Sequence, residues 1–189
     1  MPEPKDSEPQ RRGDHRIRVV DRINDIAAAD WDRLANPTGQ PDCPFIRHDF
    51  LAALEESGSV GGRSGWTPRH LILSGAGSDA VLGVAPAYLK SHSQGEYVFD
   101  HGWAEAYQRA GGRYYPKLQI AVPFTPVPGR RFLVGNGEGA RVREAALAQG
   151  AVDIARRGGV SSLHATFCTK EEAERLAARG YLVRENQQF

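Results

Sequence analysis

The chain has 189 residues, with 24 basic and 23 acidic side chains and a formal net charge of +1. This length suits one domain with its own hydrophobic core, and the balanced charge gives no reason to expect nucleic acid or a charged membrane as a partner. Cys43 and Cys168 lie far apart and outside any CxxC pattern. Reduced thiols in a cytoplasmic protein are therefore expected.

The first sixteen residues, MPEPKDSEPQRRGDHR, are polar and proline-rich. They predict a disordered tail over residues 1–16 that is neither a secretory signal nor a membrane anchor. No later apolar run approaches the ~20 residues of a membrane-spanning helix. We expect one ordered domain over residues 17–189.

Hydrophobic periodicity and turn residues predict the elements of the first half. They indicate a strand at 17–20, helices at 27–34 and 46–56, a flexible loop at 58–65, and hairpin strands at 70–74 and 80–90.

The second half predicts alternating strands and helices. Strands are expected at 118–122 and 131–134 around the proline-rich stretch PFTPVPG, then a helix at 140–157, a strand at 162–167, a helix at 169–179 and a last strand at 181–186. Thr169 and Glu172 fit a capping box at the start of the last helix. Hairpin strands followed by α/β units predict a mixed α/β sheet with helices on its faces.

Between Leu89 and Pro128 the sequence combines large aromatic rings with acids and bases. This combination is typical of a site that grips a polar ligand and moves protons. The candidate substrate-binding residues are Lys90, His92, Trp103, Tyr107, Tyr115 and Lys117. The alternatives are a solvated strand end at Lys90 and His92 and a core position for Tyr114 or Tyr115.

Asp100 and His101 are the candidate catalytic residues. Acyl transfer to an amine needs a base that takes the ammonium proton, and a histidine or a shielded carboxylate can serve. Adjacent strand residues point to opposite faces, so the pair shares one site only if the chain turns at Gly102. Asp100 is the stronger candidate of the two, with substrate binding as its alternative role. For His164, on an apolar strand, a core position is favoured over a ligand role.

Several segments of the sequence are similar to those of one protein family. YLKSHSQGEYVFD, GGRYYPKLQ, AVPFTPVPG, SSLH followed by TF, and the final QQF resemble bacterial FemAB-like proteins, described as peptidoglycan biosynthesis or recognition proteins. The resemblance covers most of the chain from about Cys43 to Phe189. It implies a GNAT-like acyltransferase fold, which the order of elements also resembles. Because family members are about twice as long, it also implies that this chain is the N-terminal half, followed by a second GNAT-like lobe.

The resemblance also implies substrates. The donor would be acetyl-coenzyme A or aminoacyl-tRNA, and the acceptor a small or peptide-like amine such as a peptidoglycan precursor. The basic residues are scattered, which argues against nucleic acid as a partner. The exception is tRNA, because the resemblance implies aminoacyl-tRNA as a possible donor. No spacing of histidines, cysteines and acids predicts a metal site.

A glycine-rich loop ahead of the longest helix supplies the candidate cofactor-binding residues, Gly135, Gly137 and Gly139. A helix start preceded by glycines can receive the pyrophosphate of coenzyme A. The GNAT pattern has Gln or Arg three residues before its glycine, whereas Phe132 and Val134 stand there in this chain. Glu138 adds a negative charge. We expect weak or absent binding of coenzyme A, with an ordinary loop as the alternative.

Three functions remain open on the sequence alone. The chain can be one lobe of an acyl- or aminoacyltransferase, a binding module for a peptide or cell-wall precursor, or an inactive truncated product. Apolar residues near its end, Tyr181 to Val183, predict self-association if a partner lobe is missing. The chain alone is then expected to be catalytically silent.

Overall fold

A computed structural model describes residues 10–12, 15–98 and 100–185. Its strands are β1 (Gln10–Arg12), β2 (His15–Val20), β3 (Trp66–Pro68), β4 (His70–Gly75), β5 (Val81–Ala85), β6 (Ala87–Lys90), β7 (Lys117–Ile120) and β8 (Leu163–Ala165). Its α-helices are α1 (Ala28–Ala35), α2 (His48–Glu56), α3 (His101–Arg109), α4 (Ala140–Arg157) and α5 (Lys170–Ala177). The predicted mixed α/β class is confirmed.

The described strands form two four-stranded sheets rather than the single sheet that the sequence predicted. The first has the order β1-β2-β4-β5 and is antiparallel throughout. The second has the order β3-β6-β7-β8, and its β7-β8 pair is parallel. The strand predicted at 80–90 is divided between the sheets, because Pro86 lies between β5 and β6 and has no N–H to donate.

Helices cover both faces of the first sheet. Successive residues of a strand point to opposite faces, so β4 serves two core regions. Leu71 and Leu73 pack with Leu147 of α4, whereas Ile72 packs with Trp31 of α1. These five side chains are fully buried. The alternation of one apolar strand therefore places α4 on one side of the sheet and α1 with α2 on the other.

Most of the predicted helices are confirmed. The helix at 140–157 has the predicted bounds, and those at 27–34, 46–56 and 169–179 differ by only a few residues. Thr169 caps α5, since its Oγ1 accepts from the backbone N–H of Glu172 at 3.2 Å. The carboxylate of Glu172 does not complete a capping box. It accepts instead from the backbone N–H groups of Arg131 at 3.0 Å and Phe132 at 2.9 Å.

Two predicted strands are absent from the described residues. At 131–134 only Leu133 exchanges backbone hydrogen bonds, with Val84 at 2.8 Å in each direction. Residues 181–185 form no strand, and Asn186 lies outside the described residues. The Tyr181 hydroxyl anchors this segment by donating to the Ala148 carbonyl at 2.9 Å.

The structure also contains elements that the sequence did not predict. Strand pairing begins before the predicted boundary at Ile17, because β1 pairs with β2. Residues 1–9, where a disordered tail was predicted, lie outside the described part. β3 follows the predicted loop at 58–65, and α3 lies in the aromatic segment. α3 buries little of its surface, since Ala104 is the one buried side chain among those described.

The contact between α4 and β2 leaves no room for a side chain at Gly150. A Cβ there would lie 1.8 Å from Cδ1 of Ile17. Alanine favours a helix over glycine by about 1 kcal/mol. We nevertheless expect Gly150→Ala to lower the free energy of unfolding by about 1–3 kcal/mol, because overpacking outweighs this gain. In chemical denaturation the loss should be smaller in an Ile17→Val background, which lacks that methyl group.

Gly102 in α3 is the matched control, since a Cβ there meets no atom within 4 Å. Gly102→Ala should leave the free energy of unfolding unchanged or raise it by up to ~1 kcal/mol. Equal effects of the two alanines would contradict the tight packing of α4 on β2.

Candidate functional site

Two predicted site residues, Lys90 and Lys117, meet on one face of the second sheet. They are directly paired across the antiparallel ladder of β6 and β7, and both ammonium groups are fully buried. Directly opposite residues project to the same face. Trp66, paired with Lys90, and Gln119, two residues beyond Lys117, extend that face. We call Trp66, Lys90, Lys117 and Gln119 the polar layer.

The polar layer follows from the sequence of β7. Lys117 and Gln119 alternate with Leu118 and Ile120, so the apolar pair faces the core below α4 while the polar pair faces the other way. Every residue of β7 is buried. A polar face that is buried needs partners from elsewhere in the chain, because unpaired buried polar groups are costly.

The described residues of segment 91–116, here called the insert, supply these partners. Lys117 Nζ donates to Glu96 Oε2 and Asp100 Oδ2, each at 2.8 Å, and to Ser93 Oγ at 3.0 Å. An ammonium group has three N–H donors, so all of them are used. Tyr115, a predicted substrate-binding residue, joins the cluster through a 2.7 Å hydrogen bond between its hydroxyl and Ser93 Oγ.

Lys90 has fewer partners than Lys117. Its Nζ donates to the Gln94 carbonyl at 3.1 Å and lies 3.7 Å from the centroid of the Trp66 ring. The nearest carboxylate oxygen, Glu96 Oε1, is 4.0 Å away. Burial lowers the pKa of Lys90 to about 8, although Glu96 opposes this shift. Burial also raises the pKa of Glu96, against the attraction of Lys117.

Asp100 stands at the N-cap of α3, where an aspartate usually accepts from a helix N–H. Its carboxylate makes no capping bond. It accepts instead from Lys117 and from the Tyr114 hydroxyl, each at 2.8 Å. Burial acts to raise the pKa of Asp100, but hydrogen bonds, led by that of Lys117, outweigh it and lower the pKa to about 2. This engagement suits binding or positioning better than proton transfer.

His164 continues the polar face on β8, as the ladder neighbour of Gln119. Its Nε2 lies 2.9 Å from Ser162 Oγ. Burial and the nearby Lys117 lower the pKa of His164 to about 4, so the imidazole is neutral at pH 7. The half-buried, hydrogen-bonded ring agrees with the core position favoured from sequence.

Three other predicted residues of this segment, His92, Trp103 and Tyr107, do not share in the hydrogen bonds of the two lysines. Trp103 and Tyr107 are 65% and 52% exposed, one turn apart on α3. His92 is half-buried against Gly65, where a Cβ would lie 2.2 Å from its Nε2. The side chain of His101 lies outside the described part of the structure.

Several residues of this region were not selected from the sequence. These are Trp66, Ser93, Glu96, Tyr114 and Gln119. The available signal was the period-two placement of polar residues in otherwise apolar strands, at 88 and 90, at 117 and 119, and at 162 and 164. That spacing indicates a shared face, but it does not reveal which segment covers it.

The predicted cofactor glycines belong to a second region. A groove of about 610 Å³ lies where segment 128–137 meets the first turns of α4 and α5, and Gly135 and Gly137 line it. Gly139, with a φ of 75°, is the N-cap of α4. No side chain caps that helix start.

Arginines surround this groove and hold its loop. Arg130, Arg141 and Arg175 line it, but Arg175 is engaged with Glu144 through bonds of 2.6 and 2.8 Å. Arg143 donates to the carbonyls of Glu138 at 2.9 Å and Val134 at 3.1 Å, which fixes the glycine loop. The structure therefore keeps one cationic side chain, Arg141, largely exposed at the groove, 3.8 Å from Glu144.

Among the described residues, no three histidine, cysteine or acidic side chains are grouped so as to hold a metal ion. No helix in the same ranges is both long and apolar enough to cross a membrane.

The two sheets and their helices define a mixed α/β protein, in which the covered charged layer and the groove at two helix starts are the two candidate sites. The chain belongs to the FemAB-like family, described as peptidoglycan biosynthesis/recognition, which it matches over residues 22–189. The family predicted from the sequence is thereby confirmed. Comparison with curated proteins found no match.

The pairing of Asp100 predicts a specific acid sensitivity. Because its pKa in the folded protein is lowered from 3.8 to about 2, Asp100 stabilises the fold above pH 3.8, and this contribution is lost as the pH falls through 2. We expect Asp100→Asn to lower the free energy of unfolding at pH 7 by about 2 kcal/mol. The difference from the wild type should shrink between pH 4 and pH 2 in denaturation experiments.

Glu105→Gln is the control, since Glu105 is an exposed carboxylate on the same helix. It should follow the wild-type pH profile. Parallel profiles of the wild type and Asp100→Asn down to pH 2 would show that Lys117 does not stabilise the ionised form of Asp100.

Proposed function

We propose that this chain is one lobe of an acyl- or aminoacyltransferase that acts on an amine acceptor such as a peptidoglycan precursor. Membership of the FemAB-like family supports the link to peptidoglycan. The observation that supports the transferase is the groove at the starts of α4 and α5. Acetyl-coenzyme A and aminoacyl-tRNA are the donor classes that the resemblance implies, and both carry phosphates.

The groove has features that favour a phosphate. The N-terminus of a helix carries a partial positive charge and unpaired N–H groups, so it attracts anions. α4 starts at this groove without a side-chain cap, and Gly137 keeps its loop free of side-chain bulk. Arg141 adds an exposed positive charge. Glu138 opposes it, so we expect the donor to bind weakly to this chain alone.

A binding module is the second candidate function. Neither histidine nor lysine lines the groove among the described residues, and its Glu144 is paired with Arg175. At the polar layer, Lys117 already donates a hydrogen bond to Asp100 of the insert. The groove's other carboxylates, Asp42 and Glu171, are exposed, so among the described side chains neither region presents a base that is both shielded and unpaired. This observation favours recognition by this chain, with the base supplied by the second lobe that the resemblance implies.

Titration with acetyl-coenzyme A and with an aminoacylated RNA microhelix tests donor binding. We expect NMR shifts around Gly137 and Arg141 on addition of at least one donor. Arg141→Glu should weaken that binding by about tenfold, equivalent to ~1.4 kcal/mol, because it reverses the exposed charge at the groove. Arg156→Glu is the matched control, since Arg156 is exposed at the other end of α4. Absence of shifts with both donors would remove the transferase proposal and leave the binding module.

Turnover is a separate measurement. We expect the purified 189-residue chain to transfer no radiolabelled acetyl group from acetyl-coenzyme A to a lysine-containing stem peptide, because the described side chains at the two regions include no base that is both shielded and unpaired. Steady release of acetylated peptide, absent with Arg141→Glu, would show that one lobe suffices for catalysis.

A further inference from the structure

The direct pairing of Lys90 and Lys117 places two positive charges side by side, so a negative charge is needed near them. Like charges opposite each other on neighbouring strands destabilise a sheet. Both ammonium groups are fully buried, so water does not screen them. The buried pair of ammonium groups on the second sheet therefore needs a negatively charged group beside it.

The insert meets this need only in part. One oxygen each of Glu96 and Asp100 bonds to Lys117, but Glu96 Oε1 and Asp100 Oδ1 have no hydrogen-bond donor among the described residues. Gln119 Oε1, fully buried in the same polar layer, has none either. Lys90 in turn donates to a backbone carbonyl, and its nearest carboxylate oxygen, Glu96 Oε1, lies 4.0 Å away, beyond hydrogen-bond distance. Donors and acceptors are thus poorly matched in the closed arrangement, which is costly for buried charges.

The part of the insert that carries Asp100 is also held by few apolar contacts. In α3, Ala104 is the only buried side chain among those described, and Trp103 and Tyr107 are exposed. Gly111 follows the helix with a φ of 82° and open space around its Cα. Segments with little apolar burial open at low free-energy cost. The bonds of Glu96 and Asp100 to Lys117 are therefore among the ties that hold this part of the insert to the second sheet.

We propose that Lys90 and Lys117 form a binding site for a ligand with two acidic groups, and that Glu96 and Asp100 occupy this site on an insert that opens to admit the ligand. The hydroxyls of Ser93, Tyr114 and Tyr115 lie at the same site and add donors. The shared chemistry of the ligand is a pair of carboxylates or a phosphate. This inference does not depend on acyl transfer, because it concerns the polar layer and not the groove.

The experiment combines hydrogen exchange with calorimetric titration of the full chain. The probes are N-acetyl-L-glutamate, which has two carboxylates, and inorganic pyrophosphate. The uncharged diamide of N-acetyl-L-glutamate is the control ligand. Glu96→Gln removes one competing charge without changing the size of the side chain. We expect it to speed exchange in α3 and to tighten binding of at least one probe about fivefold, since a larger fraction of molecules is open.

Lys90→Met tests the site directly. It keeps the length of the side chain and removes the charge, so saturable binding should be lost. Lys170→Met is its matched control, because Lys170 is an exposed lysine on α5. Arg141→Glu, which changes the groove, should leave this binding unaltered. Failure at the groove and failure at the polar layer are thereby distinguished.

The two probes distinguish two kinds of ligand. Binding of N-acetyl-L-glutamate that depends on Lys90 identifies a carboxylate ligand, and the same dependence with pyrophosphate alone identifies a phosphate. The proposal is overturned if neither probe binds saturably to the wild type or to Glu96→Gln, or if Lys90→Met binds equally well. If Glu96→Gln does not fold, Ser93→Ala loosens the insert instead, and unchanged exchange in α3 then counts against opening.

Discussion

The hydrogen bonds of the buried Lys117 ammonium group are the interaction on which the arrangement of the second sheet and the insert depends. It joins the second sheet to the insert through Ser93, Glu96 and Asp100. A buried ion pair adds little net stability over an apolar pair of the same volume, but removing one partner leaves the other charge unpaired and is strongly destabilising. Lys117 is therefore better understood as a device that specifies where the insert lies than as a source of stability.

Pro86 determines what kind of surface the insert covers. Ala85 and Ala87, on either side of it, both face the core below α4, so one face of the strand pair continues unbroken across both sheets. The opposite face changes character. Val84 packs into the apolar core with α1 and α2, whereas Tyr88 and Lys90 lie in a region closed by Trp66 and the insert. A single proline thus separates a conventional core from a charged one.

The elements predictable from the sequence were those with strong local signals. The apolar stripe of α4 and the cap at Thr169 need only neighbouring residues, and both are confirmed. α3 was not predicted; it buries little more than Ala104 and contains Gly102. The apolar run at 181–183 suggested a strand, but no ladder partner exists for it among the described residues, and Leu182 is almost fully exposed.

The candidate site was predictable in its residue types but not in its arrangement. Lys90, Asp100, Tyr115 and Lys117 were selected from composition, and the structure brings them together. Their grouping depends on the register of β6 against β7 and on the fold of the insert, which are tertiary properties. Trp103 and Tyr107 were selected on the same grounds but lie on the exposed side of α3.

The polar layer and the groove are physically connected. Gln119 Nε2 donates to Thr166 Oγ1 at 2.9 Å, and the Thr166 carbonyl accepts from Arg131 Nε at 2.8 Å. The backbone N–H of Arg131 then donates to Glu172 in the first turn of α5, at the edge of the groove. This chain of bonds fixes the strand that carries Lys117 against the helix start that shapes the groove. Because each of its members is buried or half-buried, the two regions share one continuous hydrogen-bonded support.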